Sequence, residues 1–81
     1  MNNRQKIIKF CKSNNIKVCN LEFIRNREYI YGDSIDASYW ELICEIDGIR
    51  EEFDSFYGYT INEDIDIMLE EITQYLRELN D

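Results

Sequence analysis

The stretch Trp40-Glu41-Leu42-Ile43-Cys44-Glu45-Ile46-Asp47-Gly48-Ile49-Arg50-Glu51-Glu52-Phe53-Asp54 decides how this chain folds. In its first half Trp40, Leu42, Cys44 and Ile46 alternate with Glu41, Ile43, Glu45 and Asp47. That is the two-residue period of a strand with one apolar face and one largely acidic face. Asp47-Gly48, set between Ile46 and Ile49, is a dipeptide suited to the paired positive φ angles of a type I′ hairpin turn. The turn sets a register: Ile46 faces Ile49, Glu45 faces Arg50, Cys44 faces Glu51, Leu42 faces Phe53 and Glu41 faces Asp54. Glu45–Arg50 favours that register by about 0.2–1 kcal/mol, whereas the like-charged Glu41–Asp54 pair opposes it. Glu51 falls on the apolar face, so it needs either water at a sheet edge or a buried partner such as an Arg or Tyr.

Working outward, Ile16 to about Tyr31 reads as extended but irregular. Ile16 and Val18 share one parity, Leu21 and Phe23 the other, and Ile24 and Ile30 return to the first. A strand does this only with a bulge or break, expected near Asn20 and at Arg25-Asn26-Arg27. Gly32 to Asp36 reads as a turn. At the N-terminal end, residues 3 to 14 read as a helix with Ile7, Ile8 and Cys11 on one stripe, stopped by Ser13-Asn14-Asn15. At the other end, Thr60 and Glu63 have the form of a capping box. Ile61, Ile65, Met68, Ile72, Tyr75 (or Leu76) and Leu79 then follow at helical spacing over residues 61 to 80. The expected fold is a single α+β domain over residues 1–81, ordered α-β-β-β-α. With both helices on one sheet face, the other face becomes a wall of Glu41, Glu45, Asp47, Glu52 and Asp54, interrupted only by Ile43.

The charge is divided along the chain. Arg4, Lys6, Lys9, Lys12 and Lys17 precede any acid, and all 17 Asp and Glu lie from Glu22 onward beside four arginines. The net charge of −8 repels nucleic acid and anionic membrane and attracts a basic protein surface. No apolar run is long enough to span a bilayer, and the N-terminus lacks the apolar core of a secretory signal. Cys11, Cys19 and Cys44 fit neither a disulfide framework nor a zinc pattern, so reduced thiols in a cytoplasmic protein are expected. A composition of 13 Ile, eight Asn, one Ala and no Pro accords with an AT-rich genome, such as a low-GC bacterium or its phages.

Catalysis has little to work with. The chain has no His, which removes the usual general base near neutral pH and the commonest metal ligand. Lysine stops at Lys17, and Glu51 and Glu52 point to opposite sheet faces, so they do not converge on a cation. Glu63, Asp64 and Asp66 lack the Gly and distal Glu of a calcium loop and suit a helix N-terminus, where carboxylates are favourable. No enzyme activity, cofactor or metal is expected. Tyr29, Tyr31, Tyr39, Tyr57 and Tyr59 cluster at one end of the expected sheet, where tyrosine supplies rigid contact area with a polar tip. The candidate partner-binding residues are therefore Glu41, Glu45, Asp47, Glu52, Asp54, Glu63, Asp64, Asp66, Tyr57 and Tyr59.

The element order resembles that of the double-stranded RNA-binding domain. That family's lysine cluster at the start of its last helix is replaced here by Asn62-Glu63-Asp64-Ile65-Asp66. A further resemblance is to the small acidic anti-CRISPR proteins of phages, in particular the type II-A Cas9 inhibitors. It is carried by the Arg4–Lys12 helix leading to Ile16-Lys17-Val18, by Trp40 to Gly48, and by the acidic final helix. The long acidic loop of the best-known member is missing, so no inhibitory contact is carried over. The resemblance implies a non-enzymatic phage or mobile-element inhibitor that occupies a basic DNA-binding groove of a host Cas nuclease in the host cytoplasm. The alternatives are an immunity or antitoxin protein against a basic toxin, which would present the same surface, and a phage structural or regulatory protein whose charge serves solubility.

Overall fold

In the computed structural model, residues 1–56 and 65–80 are described. The elements are α1 (Asn3–Ser13), β1 (Lys17–Ile24), β2 (Arg27–Ile30), β3 (Asp33–Asp36), β4 (Tyr39–Ile46), β5 (Ile49–Asp54) and α2 (Asp66–Leu79). Strands β1, β4 and β5 form an antiparallel sheet with β4 in the centre, and β2 and β3 form a separate antiparallel hairpin. The α+β class and the helix–sheet–helix layout agree with expectation. The strand count does not, because Gly32 to Asp36 is not a simple turn: the turn is Tyr31-Gly32, and Asp33–Asp36 is a strand.

The β4–β5 hairpin has the register dictated by its turn. Ile46 pairs with Ile49, Glu45 with Arg50, Cys44 with Glu51, Leu42 with Phe53 and Glu41 with Asp54. Asp47 and Gly48 have φ of 52° and 79°, both left-handed, as a type I′ turn requires. A Cβ built on Gly48 would meet nothing within 4 Å, so a substitution there acts through the backbone alone. Gly48→Val is expected to cost about 1–2 kcal/mol, read as a Tm several degrees lower in thermal denaturation.

Strand β1 carries its irregularity between Val18 and Asn20, where a bulge shifts the register against β4. The bulge lets Val18, Leu21 and Phe23 sit opposite Cys44, Leu42 and Trp40 on one face despite their mixed parity. Residues 25 and 26 then break the chain away from the sheet into β2. Helix α1 begins with an unforeseen capping box. The Asn2 side chain accepts from the Gln5 amide at 2.8 Å, and the Gln5 side chain accepts from the Asn2 amide at 3.1 Å. It ends as expected, with Asn15 in the left-handed region at φ 57°. From α1 the Arg4 guanidinium donates to the Leu21 carbonyl of edge strand β1 at 3.2 Å.

Both helices cover the apolar sheet face. Ile7 and Cys11 of α1, Leu21, Leu42, Cys44 and Ile46 of the sheet, and Met68 and Ile72 of α2 form one buried cluster with Ile16 and Ile65. Glu51 on this face has the partner it needs: the Tyr75 hydroxyl donates to its carboxylate at 2.8 Å, beside a Phe53–Tyr75 edge-to-face contact at 5.9 Å. The capping box at Thr60 and Glu63 and the helical start at residue 61 lie outside the described residues. The described helix begins at Asp66, whose carboxylate stands in the favourable first turn.

The three thiols are free, with Cys11 and Cys44 buried and Cys19 exposed. Burial strips water from the Cys44 thiolate, and Cys11, Cys19 and Glu51 add negative potential, so the thiol is pushed up to about 11. The folded state thus holds a proton that the unfolded state releases near 9.0. This contribution to stability is complete below that value and is lost as pH rises toward about 11. Tm should fall across that window, where Cys11 and Tyr75, both raised, act in the same direction. At about pH 8, alkylation of the folded protein should mark Cys19 alone by mass spectrometry.

Candidate protein-binding face

The register of the three strands assigns the face opposite the helices row by row. The first row is Lys17–Glu45–Arg50, the second Asn20–Ile43–Glu52 and the third Glu22–Glu41–Asp54. Beyond them Ile24 pairs with Tyr39, whose ring lies 6.0 Å from that of Phe56. No described element covers this face.

The expected acidic wall is therefore graded. The Glu45 carboxylate lies 3.8 Å from Lys17 and makes no ion pair with its register partner Arg50, which stands 3.8 Å from Glu52. These exposed pairs add little stability, but each cancels a carboxylate of the wall. Asp47 is at the hairpin turn, past the first row. The uncompensated charge collects in the third row, where three carboxylates lie side by side across three strands and none has an ion pair with a described residue. With strands about 4.8 Å apart, all three fall within roughly 10 Å, about one screening length. Two adjacent like-charged cross-strand pairs oppose folding by about 0.2–1 kcal/mol each.

Glu22 was missed as a wall residue. Its signal was present in Leu21-Glu22-Phe23: if the two apolar neighbours face the core, Glu22 must face out. Asp66 does not join the wall. It lies at the start of α2, lining a cleft of about 360 Å³ with Lys6, Lys9 and Phe10 on the helical side of the molecule. Tyr57, Tyr59, Glu63 and Asp64 lie outside the described residues. Of the expected site residues, the fold brings together Glu41 and Asp54 in the third row, with Glu52 one row away.

The β2–β3 hairpin leaves the sheet at the end nearest this row. A cleft of about 190 Å³, lined by Asn26, Glu28, Tyr39, Asp54 and Phe56, joins the hairpin to the row. The hairpin's base is clamped. The Ala37 amide donates to the Asn26 carbonyl at 2.8 Å, and the Asn26 amide donates to the Ser38 hydroxyl at 3.3 Å. The Ser38 hydroxyl and amide donate to Asp36 at 2.6 and 3.1 Å, holding that carboxyl below its usual range, with Arg27 and Arg25 assisting. Among the described residues no cluster of His, Cys, Asp and Glu is arranged to hold a metal ion, and no helix is long and apolar enough to cross a membrane. No protein-family model, curated protein or solved structure matches the chain.

Proposed function

We propose that this chain is a non-enzymatic inhibitor that lays its uncovered sheet face on a basic nucleic-acid-binding surface, standing in for the charge of DNA. The observation that carries this reading is the Glu22–Glu41–Asp54 row: three carboxylates held in register with no ion pair to a described residue. Of the three, Asp54 alone accepts a hydrogen bond, from the Phe56 amide at 3.2 Å, and their mutual repulsion opposes folding. Natural chains break such local rules mainly where function requires it. A cation-lined groove would neutralise all three at once and gain both affinity and faster encounter. The resemblance to type II-A anti-CRISPR proteins makes a Cas nuclease of a phage host the proposed target.

The test is competition. Purified Cas9 loaded with guide RNA is offered this protein and a duplex DNA target in both orders of addition. Each is expected to exclude the other, with the protein's affinity falling steeply between about 50 and 300 mM NaCl as surface charges are screened. Simultaneous binding of protein and DNA would defeat charge mimicry. An immunity protein would instead ignore Cas9 and neutralise a basic toxin through the same face.

A further inference from the structure

The tip of the β2–β3 hairpin combines two observations that the fold does not explain. Tyr31 stands in the left-handed region at φ 52°, where a bulky side chain is strained, and turns of this type ordinarily place Asn, Asp or Gly. Its side chain is also fully exposed, at 101% relative accessibility, so the ring returns nothing to the core for that strain. Tyr29, on the arm of the same hairpin, is 77% exposed. The hairpin that presents them is tied at its base by the Asn26, Asp36, Ala37 and Ser38 hydrogen bonds and across its strands by Arg27 donating to Ser34 at 3.2 Å. A strained, exposed aromatic on a pre-ordered finger is a pattern of binding hot spots.

We infer that the β2–β3 hairpin is a recognition finger and that Tyr31 enters a pocket in a basic protein partner, next to the surface met by the Glu22–Glu41–Asp54 row. The charges on the finger select the partner class. Asp36 and Arg27 face each other at its base, leaving Asp33 beside the turn and Glu28 on the arm, so phosphate-rich nucleic acid and anionic lipid are repelled there. A second copy of this chain, at net charge −8, is repelled as well. A cationic protein surface with an apolar recess fits both the carboxylates and the phenol. The inference rests on the inhibitor reading and adds the element that gives it specificity, since a carboxylate row alone suits any basic surface.

Tyr31→Asn separates strain from recognition. Asn favours the left-handed turn, so this variant is expected to melt several degrees above the wild type. Its affinity for the Cas9–guide RNA complex should fall about 30-fold with the salt dependence unchanged, because no charge is altered. Tyr31→Phe, which keeps the ring, should retain most of the affinity. A Tyr31→Asn protein that binds as tightly as wild type overturns the inference. If binding then fails only on reversal of the acidic row, the inhibitor reading survives without the finger; if Tyr31→Asn abolishes binding and row reversal does not, the finger stands and charge mimicry falls. Should the wild type not bind the Cas9 complex at all, the choice of target is wrong and the melting temperature decides: a rise supports the strained finger, and its absence overturns it.

Discussion

Leu42→Ala is expected to remove about 2–5 kcal/mol of stability, a large share of what a domain of 81 residues possesses. Leu42 is fully buried at the middle of the central strand, with Leu21 across on β1 and Phe53 across on β5. It belongs to the same buried cluster as Ile7 from α1 and Met68 and Ile72 from α2, so the core it helps to fill is shared by the sheet and both helices. Truncation leaves a cavity that neither helix can fill without moving off its own strand. In urea denaturation the midpoint should fall sharply, and Tm by more than about 10 °C. Ile49→Ala, at a half-exposed position beside the turn, is the contrast and should cost well under about 1 kcal/mol. Ile49 lies on the same sheet face but at its exposed end, so similar losses at both positions would mean that Leu42 is not at the centre of the core.

Glu41→Lys should have the opposite sign on stability and the larger effect on binding. Glu41 sits between Glu22 and Asp54, so a lysine there converts two repulsive cross-strand pairs into two attractive ones. A gain of about 0.5–2 kcal/mol is expected in denaturant titrations at low salt, shrinking as salt rises. On the inhibitor reading the same change places a cation at the centre of the contact and should weaken binding by about 100-fold or more, since like charges brought together at an interface cost several kcal/mol. Thermal denaturation and competition binding on one preparation give both numbers. A variant that is more stable and still binds would remove the row from the contact.

What the sequence disclosed, and what it withheld, follows the range of the forces involved. The β4–β5 register was legible because Asp47-Gly48 fixes it locally and the alternation from Trp40 to Ile46 repeats the same instruction. The bulge in β1 was legible as a parity conflict, and Glu51 as a charge needing either edge water or a partner such as an Arg or Tyr; that the partner is Tyr75 came only from the structure. The β2–β3 hairpin was not. Asp33-Ser34-Ile35-Asp36 has little strand propensity, and Tyr31 is a poor residue for the turn that joins the arms, so local chemistry pointed to a loop while backbone pairing made a strand. Charge pairing on the outer face was hidden for another reason. Whether Glu45 meets Arg50 or Lys17 depends on the position of β1, and that depends on a one-residue bulge far away in sequence. The outward face of Glu22 was readable in Leu21-Glu22-Phe23, but its seat beside Glu41 depended on the same bulge.

Arg4 and the bulge between Val18 and Asn20 also govern how copies of this protein can add to one another. Open-ended growth of a sheet needs two compatible edges on every molecule, because each newcomer must be able to receive the next. On β1 one edge carbonyl is already taken by Arg4 and the line of the strand is broken by the bulge, so that side is a poor template for addition. With β1 hindered, pairing through β5 is biased toward a closed pair over a growing sheet. An alanine at position 4 would free the carbonyl of Leu21 and so remove one of the two obstacles to head-to-tail polymerisation.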